Sequence, residues 1–80
     1  MDALNSRLIR ELDMKIPLTA KRYHLTRDEF RSRILELAGE GYLTYELIDE
    51  MLPDGSRSPY YGDFKNIWIT PKGKGFIRQS

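Results

Sequence analysis

The chain has 80 residues and a formal net charge of +1, and it contains no cysteine. Hydrophobic residues make up 40% and charged residues 31% of the sequence, which is ordinary for one small globular domain over residues 1–80. The composition excludes disulfides and thiolate metal sites, and no apolar run approaches the ~20 residues of a membrane-spanning helix. Because no signal-peptide pattern opens the sequence either, we expect a cytoplasmic protein without membrane contacts.

Two helices are predicted before residue 24. The first covers residues 2–13, where apolar side chains have the spacing of an amphipathic helix: Ala3, Leu4, Leu8, Ile9 and Leu12. Pro17 suits the first turn of a helix, because its missing N–H group is not needed there. We therefore expect a brief second helix of roughly two turns over residues 18–23, followed by a tight turn at His24 and Leu25.

The third predicted helix, residues 26–38, has the clearest start and end. Thr26 and Glu29 have the spacing of a capping box, in which each side chain accepts a hydrogen bond from the other residue's backbone N–H group. Gly39 and Gly41 end the helix. Its expected core-facing stripe consists of Phe30, Ile34, Leu37 and Ala38.

Two strands are predicted after this helix. Residues 42–48 show the two-residue repeat of a half-buried strand, and residues 53–59 form a turn-rich loop. Residues 66–69 form the second strand, in which Ile67 and Ile69 are expected to face the core and Trp68 the opposite side.

A short helix is predicted at the end of the chain. Thr70 is placed to cap it, and Pro71 occupies its first position. Gly73 and Gly75 are expected to weaken this helix by ~1 kcal/mol each relative to alanine. The predicted elements together indicate an α+β fold.

This order of elements resembles that of winged helix-turn-helix domains, and most closely that of the small YjcQ-like winged-helix proteins of bacteria and their phages. The residues that carry the resemblance are 25–26, 28–30, 37, 40–43 and 69–73. The last block is also similar to the strand-to-helix turn of MarR- and PadR-type regulators. The resemblance implies a three-helix core, a two- to three-stranded antiparallel sheet and a short C-terminal helix. It also implies double-stranded DNA binding by a small transcriptional regulator of bacterial or phage type.

In the helix-turn-helix interpretation, the third helix enters a major groove and residues near its start reach base edges. The candidates there are Arg27, Asp28, Arg31 and Ser32, with Arg33 on the opposite flank. An arginine that binds guanine through two hydrogen bonds contributes ~1–3 kcal/mol of discrimination. We expect these guanidinium groups to point outward beside the loop. The alternative is that they are ordinary solvated residues.

Other basic residues are candidates for phosphate contacts, which position a protein on DNA without reading sequence. They are Lys21 and Arg22 before the third helix, Arg57 and Lys65 between the strands, and Lys72 in the final turn.

The charges are strongly segregated along the chain. Residues 17–34 contain five basic and two acidic side chains, residues 35–54 contain six acidic and no basic ones, and residues 55–80 contain five basic and one acidic. If Glu46, Asp49 and Glu50 face the DNA side, they would repel phosphates. In that case the domain is better interpreted as an accessory winged-helix protein that docks on a partner protein.

Trp68, Tyr60 and Tyr61 form the possible interface, because aromatic side chains are concentrated in interface cores. For Tyr60 and Tyr61 the alternatives are stacking or hydrogen bonding on DNA and attachment of the loop to the sheet. Either the chain itself covers the indole of Trp68, or a protein partner or a second copy in a homodimer does so.

The sequence offers little for an enzyme. His24 is the only histidine, and no metal-ligand, nucleophile or phosphate-loop spacing accompanies it. We therefore expect no catalytic activity, no cofactor and no metal site.

Overall fold

The computed structural model describes residues 1–79, which form an α+β fold with three α-helices and one two-stranded antiparallel sheet. In chain order the elements are α1 (Ala3–Asp13), a 3-10 turn (Lys21–Tyr23), α2 (Arg27–Gly39), β1 (Leu43–Leu47), β2 (Phe64–Ile69) and α3 (Pro71–Gln79). The α+β class agrees with the sequence-based prediction. The elements follow the predicted order, except that a 3-10 turn lies where the second helix of the predicted three-helix core was expected.

Local capping signals fix the starts of α1 and α2. Asp2 caps α1 by accepting a hydrogen bond from the backbone N–H group of Asn5 at 2.8 Å. The predicted capping box of α2 is confirmed, because the Glu29 N–H group donates to Thr26 Oγ1 at 3.1 Å and the Thr26 N–H group donates to Glu29 Oε1 at 2.9 Å. These bonds satisfy N–H groups that have no partner within the helix.

The predicted second helix over residues 18–23 is wrong, since only the 3-10 turn Lys21–Tyr23 forms there. Thr19 Oγ1 accepts from the Arg22 N–H group at 3.3 Å, so the turn begins only after Thr19. His24 ends it in the left-handed region with φ of 56°, consistent with its predicted place in a turn. A segment this short cannot offset the cost of nucleating an α-helix.

The core lies between α1, α2 and the sheet. Its fully buried side chains are Leu8 and Ile9 of α1, Ile34 and Leu37 of α2, and Leu43 of β1. Tyr23 and Phe30 are also buried, while Ile67 and Ile69 are half-buried against this cluster. The predicted stripe of α2 therefore faces the core, except that Ala38 is only half-buried, and Ala3 of the first helix is exposed.

A β-bulge changes which residues of β2 face the core. Glu46 pairs with Asn66 and Leu47 with Phe64, so Lys65 is an extra residue in β2. The bulge shifts the alternation by one residue. Phe64 consequently packs at 5.9 Å against the ring of Phe30, while Lys65 joins Glu46 on the outer face of the sheet.

Helix α3 is joined directly to the start of β1. Thr70 Oγ1 accepts from the Gly73 N–H group at 3.1 Å, which confirms Thr70 as the cap of α3, and it also donates to the carbonyl oxygen of Gly41 at 2.6 Å. The ring of Phe76 packs at 5.6 Å against that of Tyr42. One threonine side chain therefore both starts the helix and docks it on the sheet.

Candidate nucleic-acid interface

Two arginines of α2 fasten the loop between the strands to the first turns of the helix. Arg27 forms an ion pair with Asp63, and its Nη2 group lies 3.4 Å from the carbonyl oxygen of Tyr61. Arg31 Nη1 donates to the carbonyl oxygen of Gly62 at 3.0 Å. The expectation that both guanidinium groups point freely outward is therefore wrong, although the side chain of Arg27 keeps 62% of its accessible surface.

The loop reaches these arginines because of its backbone conformation. Gly62 has φ of 82°, a left-handed conformation that disfavours side chains, and a Cβ atom there would lie 3.3 Å from Arg31 Nη1. The Gly62 N–H group donates to the carbonyl oxygen of Ile48 at 2.9 Å, and the Ile48 N–H group donates to that of Asp63 at 2.8 Å. The base of the loop is thus closed by backbone hydrogen bonds.

The rest of the loop, residues 49–61, is also held by hydrogen bonds. Ser58 is buried, and its N–H group donates to the carbonyl oxygen of Glu50 at 2.9 Å. At the tip, Asp54 Oδ1 accepts from the N–H and hydroxyl groups of Ser56 at 2.9 and 2.6 Å. The guanidinium of Arg57 stacks over the ring of Tyr61 at 4.3 Å. Residues 48–63 are therefore held in one arrangement beside α2, and we call this segment the arm.

A pocket with a volume of about 240 Å3 lies where this arm meets α2. Residues 18–20 form one wall, residues 62–64 form the other, and Arg27, Phe30 and Arg31 contribute from α2. Three segments that are far apart in sequence therefore meet around the two arginines.

Arg22 and Arg33 belong to a different part of the molecule from Arg27 and Arg31. Arg33 Nη1 donates to Asp2 Oδ2 at 2.5 Å and to Asn5 Oδ1 at 3.2 Å, so it holds α2 against the start of α1. Arg22 Nε donates to Glu11 Oε1 at 2.9 Å and so holds the 3-10 turn against α1. These contacts give both arginines a structural role at the surface of the helices, where each connects a different segment to α1.

Glu11, which binds Arg22, also binds two other side chains. Arg7 Nε donates to its other carboxylate oxygen at 2.6 Å, and Tyr23 Oη donates to Oε1 at 3.3 Å. Burial, the largest single influence, raises the pKa of the Glu11 carboxyl, but the hydrogen bonds from Arg22 and Arg7 outweigh it and hold that pKa below its usual value. Glu11 is therefore the ionised junction between α1 and the 3-10 turn.

The lysine candidates are also dispersed. Lys65 lies 3.4 Å from Glu46 on the outer face of the sheet, which points away from the helices. Lys72 donates to the carbonyl oxygen of Glu40 at 2.5 Å, just after the end of α2, where a cation interacts favourably with the helix dipole. Lys21, Asp28 and Ser32 are exposed.

The aromatic candidates are partly exposed. Trp68 is 48% exposed on the outer face of the sheet, Tyr60 is 64% exposed and Tyr61 is 37% exposed. Neither α1 nor the arm buries the indole of Trp68.

Sequence reasoning missed Asp63 and Gly62, which tie the arm to α2. The only signal was a glycine beside a carboxylate just before the second strand, and nothing local connects those positions to residues 27 and 31.

Comparisons with protein-family models, with curated proteins and with solved structures give no match. Within residues 1–79, no helix combines the length and the apolar character needed to cross a bilayer. In that same part of the chain, no three histidine, cysteine or acidic side chains are grouped so that they could hold a metal ion.

Proposed function

We propose that this chain is a winged-helix domain that binds double-stranded DNA and acts as a small transcriptional regulator. The observation that carries the proposal is the attachment of the arm to the first turns of α2 through Arg27 and Arg31. A winged helix needs its recognition helix and its wing in a fixed relation, so that groove and backbone contacts form together. The two arginines supply that relation before any DNA is bound.

The charges near α2 are mixed. Asp49, Glu50 and Asp54 are exposed on the arm and would repel a phosphate backbone, so the proposal relies on the basic side chains to outweigh them. Glu46, the acidic residue of β1, lies on the outer face of the sheet and is engaged by Lys65. Lys21 is exposed before α2, and Arg57 lies on the arm. Arg27 uses only part of its five-donor guanidinium on Asp63 and Tyr61, so N–H groups remain for a phosphate or a base.

The direct test is a fluorescence-anisotropy titration of a labelled mixed-sequence duplex at ~50 mM salt, repeated at ~200 mM because phosphate contacts make affinity fall with salt. We expect binding that the double variant Arg27→Ala and Arg31→Ala abolishes or weakens strongly. The matched control removes two exposed arginines of the other helices, Arg10→Ala and Arg78→Ala. This control should retain most of the affinity. No measurable binding by the wild type, or equal losses in both double variants, would refute the proposal.

Asp63→Asn separates the two tasks of Arg27. If Arg27 acts mainly by positioning the arm, breaking the ion pair frees the loop and weakens DNA binding, even though the variant carries one negative charge fewer. If Arg27 acts mainly by contacting DNA, the same substitution strengthens binding.

A protein-interaction role is the second candidate. It is favoured by Trp68, which lies half-exposed on the outer face of the sheet beside Thr44 and Glu46. Large exposed aromatic side chains of this kind are typical centres of protein interfaces. A wild-type chain that binds no duplex but self-associates in sedimentation, and becomes monomeric on Trp68→Ala, would favour this role over DNA binding.

A further inference from the structure

Strand β2 has a free edge. Among residues 1–79 it pairs only with β1, and the Thr70 N–H group donates to the carbonyl oxygen of Tyr42 at 3.2 Å at the end of that ladder. Because the hydrogen-bonding groups of successive strand residues alternate in direction, those of Ile67 and Ile69 point away from β1. Within residues 1–79 they have no backbone hydrogen bond to a segment outside the sheet.

The segment that runs beside this edge does not pair with β2 as a third strand. After α1 ends at Asp13, Lys15 adopts the left-handed region with φ of 62°, and the N–H group of Ile16 donates back to the carbonyl oxygen of Glu11 at 3.0 Å. The next residue, Pro17, has no N–H group. Neither Ile16 nor Pro17 therefore has a backbone donor for β2.

A groove of about 510 Å3 remains between β2 and the end of α1. Leu12, Ile16, Ile67 and Ile69 give it apolar walls, and Trp68 lies along its rim. Unpaired strand groups beside an apolar groove are the features that a protein uses to bind an extended peptide as an added strand.

The charges around the groove select the occupant. Three lysines line it, Lys15, Lys65 and Lys74, against one carboxylate, Asp13. Lys65 is partly engaged by Glu46 at 3.4 Å, which leaves Lys15 and Lys74 as the cations exposed to an incoming segment. A second copy of the chain would bring the same lysines together across a two-fold axis, which like-charge repulsion disfavours.

We propose that the free edge of β2 binds an extended, acidic segment of a partner protein as a third strand. The backbone of the segment hydrogen-bonds to Ile67 and Ile69, alternate apolar side chains enter the groove, and carboxylates lie near Lys15 and Lys74. The six residues of β2 span ~20 Å, so about six residues of the partner are engaged. This site adjoins the pocket between α2 and the arm, with which it shares Leu18 and Phe64. None of its proposed contacts uses Arg27 or Arg31, so the inference does not depend on DNA binding.

The test uses a fluorescein-labelled hexapeptide of alternating glutamate and valine, titrated against the wild-type chain at low salt. We expect saturable binding that weakens about tenfold in the double variant Lys15→Glu and Lys74→Glu, since both charge contacts become repulsive. The charge-matched control, Arg10→Glu and Lys21→Glu, has the same net charge but leaves the groove intact. It should bind the peptide as tightly as the wild type.

Two further measurements address the strand geometry and need no variant of the protein. The first uses two versions of the peptide, each with N-methyl groups on one of the two alternate sets of residues. The version whose methylated nitrogens face β2 loses the edge hydrogen bonds and should not bind. Amide hydrogen exchange at Ile67 and Ile69 should slow when the unmodified peptide is bound. The proposal would be overturned if the peptide did not bind, or if a lysine–valine peptide bound equally well. It would also be overturned if binding survived both N-methylation patterns or weakened equally in both double variants.

Discussion

Gly73 is the position at which a single methyl group should have the clearest effect. It is buried in the first turns of α3, and a Cβ atom there would lie 2.8 Å from Ile69 Cγ1 and would collide with the carbonyl oxygen of Tyr42. Gly75, two residues later in the same helix, has nothing within 4 Å of a Cβ atom. Comparing alanine substitutions at these two glycines therefore separates the effect of packing against α3 from the effect of helix propensity.

Alanine at Gly73 improves helix propensity but overpacks the contact with Tyr42 and Ile69, whereas alanine at Gly75 only improves helix propensity. Replacing glycine by alanine inside a helix contributes ~1 kcal/mol of stability through propensity. At Gly73 the colliding atom belongs to the backbone and cannot rotate away, so overpacking should cost ~3 kcal/mol, the upper end of the usual range. We therefore expect Gly73→Ala to lower the free energy of unfolding by ~2 kcal/mol and Gly75→Ala to raise it by ~1 kcal/mol.

Urea denaturation followed by far-UV circular dichroism measures this difference of ~3 kcal/mol directly, and in a domain of this size it corresponds to roughly 12–24 °C in Tm. A Gly73→Ala chain as stable as the wild type would refute the reasoning, since it would mean that α3 is not docked against Tyr42 and Ile69. If Gly75→Ala were equally destabilising, the cause would lie in the helix and not in the contact.

Two other predictions concern the joints of α1 and α2. His24 has φ of 56°, which glycine adopts without strain, so His24→Gly should raise the free energy of unfolding by ~1 kcal/mol in urea denaturation, whereas His24→Ala should not. Equal gains from both substitutions would argue against backbone strain. Because the pKa of Glu11 is lower in the folded chain than its ordinary value of 4.5, its stabilisation is complete above that value and is lost as pH falls through the folded-state pKa. Glu11→Gln should therefore reduce the loss of stability between pH 6 and pH 3, and an unchanged pH profile would contradict this role.

The arginines of α2 show why the same residue type cannot be given one role from sequence. Arg27 and Arg31 hold the arm, whereas Arg33 holds the start of α1. If the DNA-binding proposal is correct, substitutions at Arg27 and Arg31 should alter the geometry of the reading surface as well as its charge. Arg33→Ala should instead mainly affect stability.

The proposed peptide site and the proposed DNA surface are neighbours that share Leu18 and Phe64, but their charged side chains lie on different elements. The first depends on the end of α1 and the edge of β2, and the second on α2 and the arm. Variants of Lys15 and Lys74 can therefore be assayed for DNA binding, and Asp63→Asn for peptide binding. Each set supplies an internal control for the other.

Local signals in the sequence determined the helices and the class of fold. Thr26 and Glu29 are three residues apart, so their capping box depends on no distant part of the chain, and it forms as predicted. The stripe of Phe30, Ile34 and Leu37 likewise follows from helical geometry alone. The order of α1, α2, β1, β2 and α3 and the alternation of β1 could be obtained in the same way, whereas the helix predicted over residues 18–23 does not form.

Tertiary structure alone decided where the functional side chains point. Arg27 meets Asp63 and Arg31 meets Gly62 across more than thirty residues of sequence, and the bulge that turns Lys65 outward appears only when β1 and β2 are paired. Ile16 has no backbone donor for β2 because its N–H group donates to Glu11, and the need for glycine at position 73 depends on the approach of Tyr42 and Ile69. Capping and periodicity act between near neighbours and can be deduced from the sequence, whereas these contacts arise only when distant segments pack together.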